Sequence, residues 1–215
     1  MLNILKNENG LIFAIKPIGV CSEDGQENSM PVLLKKQLDT DYIATLHRLD
    51  TAVSGVMVYA YQKSAAAEVS AKIQNNELRK EYLAVVAGVP EEKSGTLCDL
   101  LFKDSRKNKS YVVARQRAGV KKAILEYEVL ETTDTDNGPV SLIKINLITG
   151  RSHQIRVQFS HRKMPLLGDK KYGSRHNGNI ALFSHGIALP YRGNEIKVTA
   201  LPEVSEFPWS LFKNY

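Results

Sequence analysis

Two apolar-alternating runs, Ile124-Leu125-Glu126-Tyr127-Glu128-Val129-Leu130 and Leu142-Ile143-Lys144-Ile145-Asn146-Leu147-Ile148, flank Asp136-Asn137-Gly138-Pro139. Alternation at a period of two is the mark of a half-buried strand, because successive side chains leave opposite faces. In the second run Ile143, Ile145 and Leu147 point one way, and Lys144 and Asn146 the other. Asp-Asn-Gly-Pro is turn chemistry, so the two runs are predicted to pair as an antiparallel hairpin.

Working outward, Leu11 to Ile15 reads as a first strand, ended by Pro17 and Gly19. Val32 to Leu38 is a short helix candidate, and Val56 to Ala60 a buried strand. Gln62 to Leu78 is predicted helical, with Ala66, Val69 and Ile73 on one face and no Gly or Pro between. Tyr82 to Val89 and Glu195 to Ala200 complete the strand tally. The fold class is α+β, with a mixed or mainly antiparallel sheet. Periodicity leaves one segment open. In Gly150 to His161, Ile155, Val157 and Phe159 alternate like a strand, yet Ile155 and Phe159 also fit a helix, for which Ser152 would be an N-cap.

Composition narrows the function classes. The 215 residues carry a net charge of +6, which suits an anionic partner without proving one. Cys21 and Cys98 fit neither a disulfide framework nor metal spacing and read as reduced thiols of a cytoplasmic protein. No stretch approaches the roughly 20 apolar residues that span a bilayer, and no export signal is visible, so no membrane association is expected.

Three polar segments carry chemistry. His47-Arg48-Leu49-Asp50-Thr51-Ala52-Val53-Ser54-Gly55 sets a carboxylate beside an arginine and ahead of a buried strand, where it can be held ionised and fixed. By itself Asp50 is equally a structural ion-pair partner. Lys80-Glu81-Tyr82 opens a strand, and Gly150-Arg151-Ser152-His153-Gln154-Ile155-Arg156-Val157 continues to Pro165-Leu166-Leu167-Gly168-Asp169-Lys170-Lys171-Tyr172-Gly173.

Together with Lys16-Pro17-Ile18-Gly19-Val20, these segments make the chain resemble the RluA family of pseudouridine synthases from about residue 10 to about residue 202. The resemblance implies a long, bent, mainly antiparallel sheet flanked by helices, residues 1–215 as one catalytic domain, and a helix starting at Ser152. It implies no metal, no organic cofactor and a monomer. The implied activity isomerises a uridine in structured RNA, a tRNA or large-subunit rRNA stem-loop. Asp50 is then the catalytic aspartate. Tyr82 lies against the base, Arg156 pairs with the aspartate and Ile155 walls the pocket, with Arg48 and His47 completing the substrate-binding set. His47, His153 and His185 are otherwise read as packing or hydrogen-bonding residues, not acid–base catalysts. The sequence departs from the family at Thr51-Ala52-Val53 and at Lys163 or Met164, where glycine is common. No S4-type RNA-binding domain is expected before the first strand. Target recognition then falls to the catalytic domain, where Lys103 to Lys122 carries eight basic residues against Asp104. Two rival readings are an RNA-binding paralogue without catalysis, and a phosphate enzyme using Gly150-Arg151-Ser152 as an anion site.

Overall fold

The computed structural model describes all residues from 1 to 215. Strands β1 (Ile4–Glu8) and β2 (Leu11–Lys16) precede helix α1 (Met30–Leu38), β3 (Ala44–Thr45) and β4 (Ser54–Ala60). Helix α2 (Lys63–Gln74) leads to β5 (Arg79–Ala87), β6 (Ser94–Asp104) and β7 (Lys109–Val112). The long strands β8 (Val120–Thr135) and β9 (Gly138–Leu147) follow, then α3 (Gln154–His161), β10 (Leu182–Tyr191) and β11 (Asn194–Thr199). The class is α+β, as the periodicity implies.

The chain forms two compact units. The first comprises Met1–Lys80 with Phe183–Pro202, and the second Glu81–Leu182 with Glu203–Tyr215. In the first, strands run in the order β1-β2-β4-β10, with β11 paired to β10 and β3 to β4. These pairs are antiparallel except β4 with β10, which is parallel at Phe183–Ser54 and Ser184–Gly55. Leu11, Phe13, Val56, Val58 and Val69 are buried together with Ile187 and Leu189, so α2 covers this sheet with its Ala65 and Val69 face. Helix α1 begins at Met30, two residues before the sequence reading, because Pro31 presets the helical φ in its first turn.

In the second unit the order β5-β9-β8-β6-β7 is antiparallel throughout. The predicted hairpin is its centre. Thr135 and Gly138 close a two-residue loop, and Gly138 takes φ +98, which a Cβ would oppose. Lys144 reaches Glu81 at 3.6 Å and Asn146 donates to Glu126 at 2.9 Å, which confirms the polar face of β9. Leu83, Val85, Val140, Leu142, Leu167, Ala181 and Phe212 form one core cluster. Leu101, Ala123, Val157 and Tyr172 form another, under α3.

Candidate active site

In the first unit, Asp50 sits half-buried on a loop fixed from both sides. Upstream, the Ser22 hydroxyl donates to Leu49 O at 2.7 Å and accepts from Leu49 N at 3.0 Å. Downstream, Val53 N bonds Asp50 O at 2.9 Å and Gly19 N bonds Thr51 O at 2.8 Å. The fastener is Lys16, the last residue of β2, whose side chain is fully buried. Its ammonium donates to Pro17 O at 2.8 Å, Val20 O at 2.9 Å and Thr51 O at 3.3 Å, so one buried cation ties the 17–20 turn to the Asp50 loop. Burial lowers the Lys16 pKa to about 8, against the pull of Cys21 and of the Asp50 carboxylate, which favour the charged form.

The flanking pair behaves differently from its neighbour. Arg48 is exposed and binds Glu23 at 2.8 Å, whereas Lys16 is tied to the backbone of this loop at Thr51. His47 accepts at Nε2 from Val58 N at 3.1 Å, pinning the loop to β4, while its Nδ1 is buried without a partner. Burial first, and Lys80 second, hold its pKa down to about 3, so the ring is neutral at physiological pH.

In the second unit, Tyr82 lies on β5, is 5% exposed and pairs in register with Ile145 of β9. Helix α3 carries Ile155 and Arg156, and all six residues from Gln154 to Phe159 are buried. The helix starts at Gln154, not at Ser152 as the family resemblance implies. His153 takes a left-handed φ of 53°, and the Ser152 carbonyl is used by the Ser110 hydroxyl at 2.7 Å. Gln154 anchors this start: it accepts from Arg151 N and Thr149 Oγ1 and donates to Ile124 O.

Arg156 is clamped side-on by Asp169, with Nε to Oδ2 at 2.6 Å and Nη2 to Oδ1 at 2.8 Å. Its guanidinium lies 5.1 Å from the centre of the Tyr172 ring. The Tyr172 hydroxyl in turn meets Ser110 N at 2.8 Å and His153 Nδ1 at 2.9 Å. A buried arginine held on two sides is a preoriented cation with little side-chain entropy left to lose. Lys16, Asp169 and Tyr172 are thus positioning residues that sequence reasoning missed. All three sit inside the quoted motifs, which are the only signal that could have found them.

No group of three or more His, Cys, Asp or Glu residues could hold a metal ion, and no helix is long and apolar enough to cross a membrane.

Known proteins match this chain along most of its length. The family described as RNA pseudouridylate synthase matches residues 10–161. The dual-specificity RNA pseudouridine synthase RluA of Escherichia coli strain K12 is 35% identical over 175 residues, covering 80% of this chain and 78% of the relative. The uncharacterized RNA pseudouridine synthase YhcT of Bacillus subtilis strain 168 is 29% identical, covering 80% of this chain and 58% of its own length. Among solved structures, human RNA pseudouridylate synthase domain containing 1 superposes with a TM-score of 0.82 at 22% identity, covering 95% of this chain and 84% of that one, a likeness of fold.

Proposed function

The chain belongs to the RNA pseudouridylate synthase family, as an RluA-type RNA isomerase, and on that premise we propose that Asp50 is its essential carboxylate and a tRNA or large-subunit rRNA stem-loop its substrate. The observation that carries this reading is the loop itself. Asp50 lies between two backbone anchors, Ser22 at Leu49 and Lys16 at Thr51, so its carboxylate is presented from a rigid support.

The target uridine leaves its stack to reach such a group. Asp50 drives rupture of the bond between N1 and the ribose C1′, by attack on the sugar or base or by removing a sugar proton. The uracil turns, C5 bonds to C1′, the C5 proton is released and N1 takes up a proton, so the atoms balance without a cofactor. The proposed roles of the remaining residues follow the family motifs. Tyr82 supports the unstacked base, a contact worth roughly 1–3 kcal/mol in single-stranded recognition. Ile155 is the apolar wall, and Arg156 is the counter-charge of the aspartate. His47 and Arg48 complete the proposed substrate-binding set, His47 by pinning the loop to β4 and Arg48 as the exposed cation beside Asp50. The dual specificity named for the Escherichia coli relative supports considering both RNA classes. The family match runs through both compact units, which supports one catalytic domain over residues 1–215.

Asp50→Asn is the test, with tritium release from C5-labelled RNA as readout. Lost turnover with retained RNA binding is the expected result. Undiminished product would overturn the assignment. Mapping pseudouridine in RNA from cells with and without the gene then names the target.

A further inference from the structure

The second unit contains an open concavity of about 780 Å³ that Asp50, Tyr82, Ile155 and Arg156 do not line, while Tyr172, whose ring packs on Arg156, forms part of its wall. Lys163, Arg175 and His176 border it, with the amides of Asn137 and Asn177 and the ring of Phe207. No carboxylate lines it. Its size falls within the range of pockets that hold small organic ligands, roughly 300–1,000 Å³. The chemistry is specific in kind. Two exposed cations suit a phosphate, two amides suit base edges, and Phe207, a large apolar side chain left 57% exposed, offers a face for stacking.

Lys163 adds a second, independent observation. It occupies φ 62°, a left-handed conformation that costs a non-glycine residue and that glycine adopts freely. Backbone bonds from Lys163 N to Ser160 O and from Met164 N to Phe159 O hold it there, at the rim. This turn at the end of α3 sets the exposed Lys163 side chain at the rim of the concavity. The surroundings extend the same charge. Lys171 donates to Asn108 O at 3.1 Å, which joins the 170s turn to the β6–β7 turn and its exposed Arg106 and Lys107.

We propose that this concavity binds a nucleotide of the RNA strand flanking the target uridine, phosphate toward Lys163 and Arg175, base against Phe207. The inference rests on the RNA-modifying reading above and assigns that substrate a second contact. A phosphorylated nucleoside is the chemistry recognised, and the substrate's own flank is the source.

The test compares a uridine-bearing hairpin with and without single-stranded flanks, binding to the full chain and to Lys163→Gly, Arg175→Gln and Phe207→Ala. For the parent, flanks should tighten binding about tenfold, and each variant should lose most of that gain. Removing Lys163 and Arg175 together should also lower the slope of log affinity against log salt by about 1.4, near 0.7 for each cation. Lys163→Gly should melt at or above the parent temperature, which separates lost contact from lost fold. A parent-like flank advantage in all three variants would overturn the proposal. So would uridine monophosphate binding that the variants abolish while RNA affinity stays unchanged, since the cavity would then serve a free nucleotide. Failure here leaves Asp50-dependent product formation untouched, and that measurement alone decides the catalytic reading.

Discussion

Asp169 grips Arg156 through two parallel hydrogen bonds at 2.6 and 2.8 Å, with the two side chains only 1% and 6% exposed. In that setting the pair is worth less than its Coulomb energy, because both ions were taken out of water. Breaking it is another matter. Asp169→Asn leaves a buried guanidinium facing a neutral amide, and should cost about 3 kcal/mol of stability. It should also release Arg156 from its fixed direction, lowering pseudouridine formation by about a hundredfold. Urea denaturation and single-turnover assays read the two effects. A variant with parent stability and parent turnover would show that the clamp positions nothing.

The Lys16 ammonium predicts an alkaline effect. Its ordinary pKa of 10.5 falls to about 8 in the fold, chiefly through burial. Between those values the unfolded chain holds a proton that the folded chain has released, so raising the pH favours folding. The stability of the parent relative to Lys16→Met should therefore grow from pH 8 to 10.5, by up to about 3 kcal/mol. Denaturant midpoints of both proteins across that range check it. A difference that is flat or shrinks would exclude a buried, depressed lysine at this position.

What the sequence made legible was local. Asp136-Asn137-Gly138 forced the hairpin, and period-two alternation set which face of β9 is buried. Helix α2, read to Leu78, ends at Gln74 because Asn76 turns left-handed at φ 59°, a conformation that asparagine tolerates. Strand β10 was unread, since Gly186 and Pro190 punctuate it, yet Pro190 still pairs with Glu195 of β11. β1, β3, β6 and β7 also lacked a clear period. Asp50 was visible because its motif is contiguous. Lys16 and Asp169 were not assigned roles, because those roles come from contacts 35 and 13 residues away, which no local pattern encodes.

His47 predicts an effect of the same sign at acid pH. Its pKa drops from 6.5 to about 3, with burial the main cause. Below 6.5 the unfolded chain takes up a proton that the folded chain refuses, so the fold loses stability as the pH falls. His47→Gln keeps an acceptor for Val58 N–H and has no such proton. The parent should lose about 3 kcal/mol more than this variant between neutrality and about pH 4. Parallel acid-denaturation curves would mean that His47 protonates freely in the fold.

Gly55 tests how tightly the Asp50 loop is bound to its sheet. It pairs with Ser184 in the parallel β4–β10 ladder at φ +129°. A Cβ there would lie 2.4 Å from Ser184 N and 2.5 Å from Ser184 O, closer than any real contact. The obstacle is backbone on a neighbouring strand, so no side chain can rotate away. Gly55→Ala must part β4 from β10 or twist the turn that follows Asp50, and the Ser184 hydroxyl bond to Val56 O at 2.9 Å would be lost with it. Overpacking and backbone strain together should cost about 3 kcal/mol or more. Turnover should fall further than the unfolded fraction explains, because Ser54 holds Lys16 O at 2.8 Å and transmits the displacement to the lysine that fastens the Asp50 loop. Activity measured per folded molecule, at a temperature where the variant remains native, separates these contributions; parent-like specific activity would mean that the loop tolerates movement of its sheet.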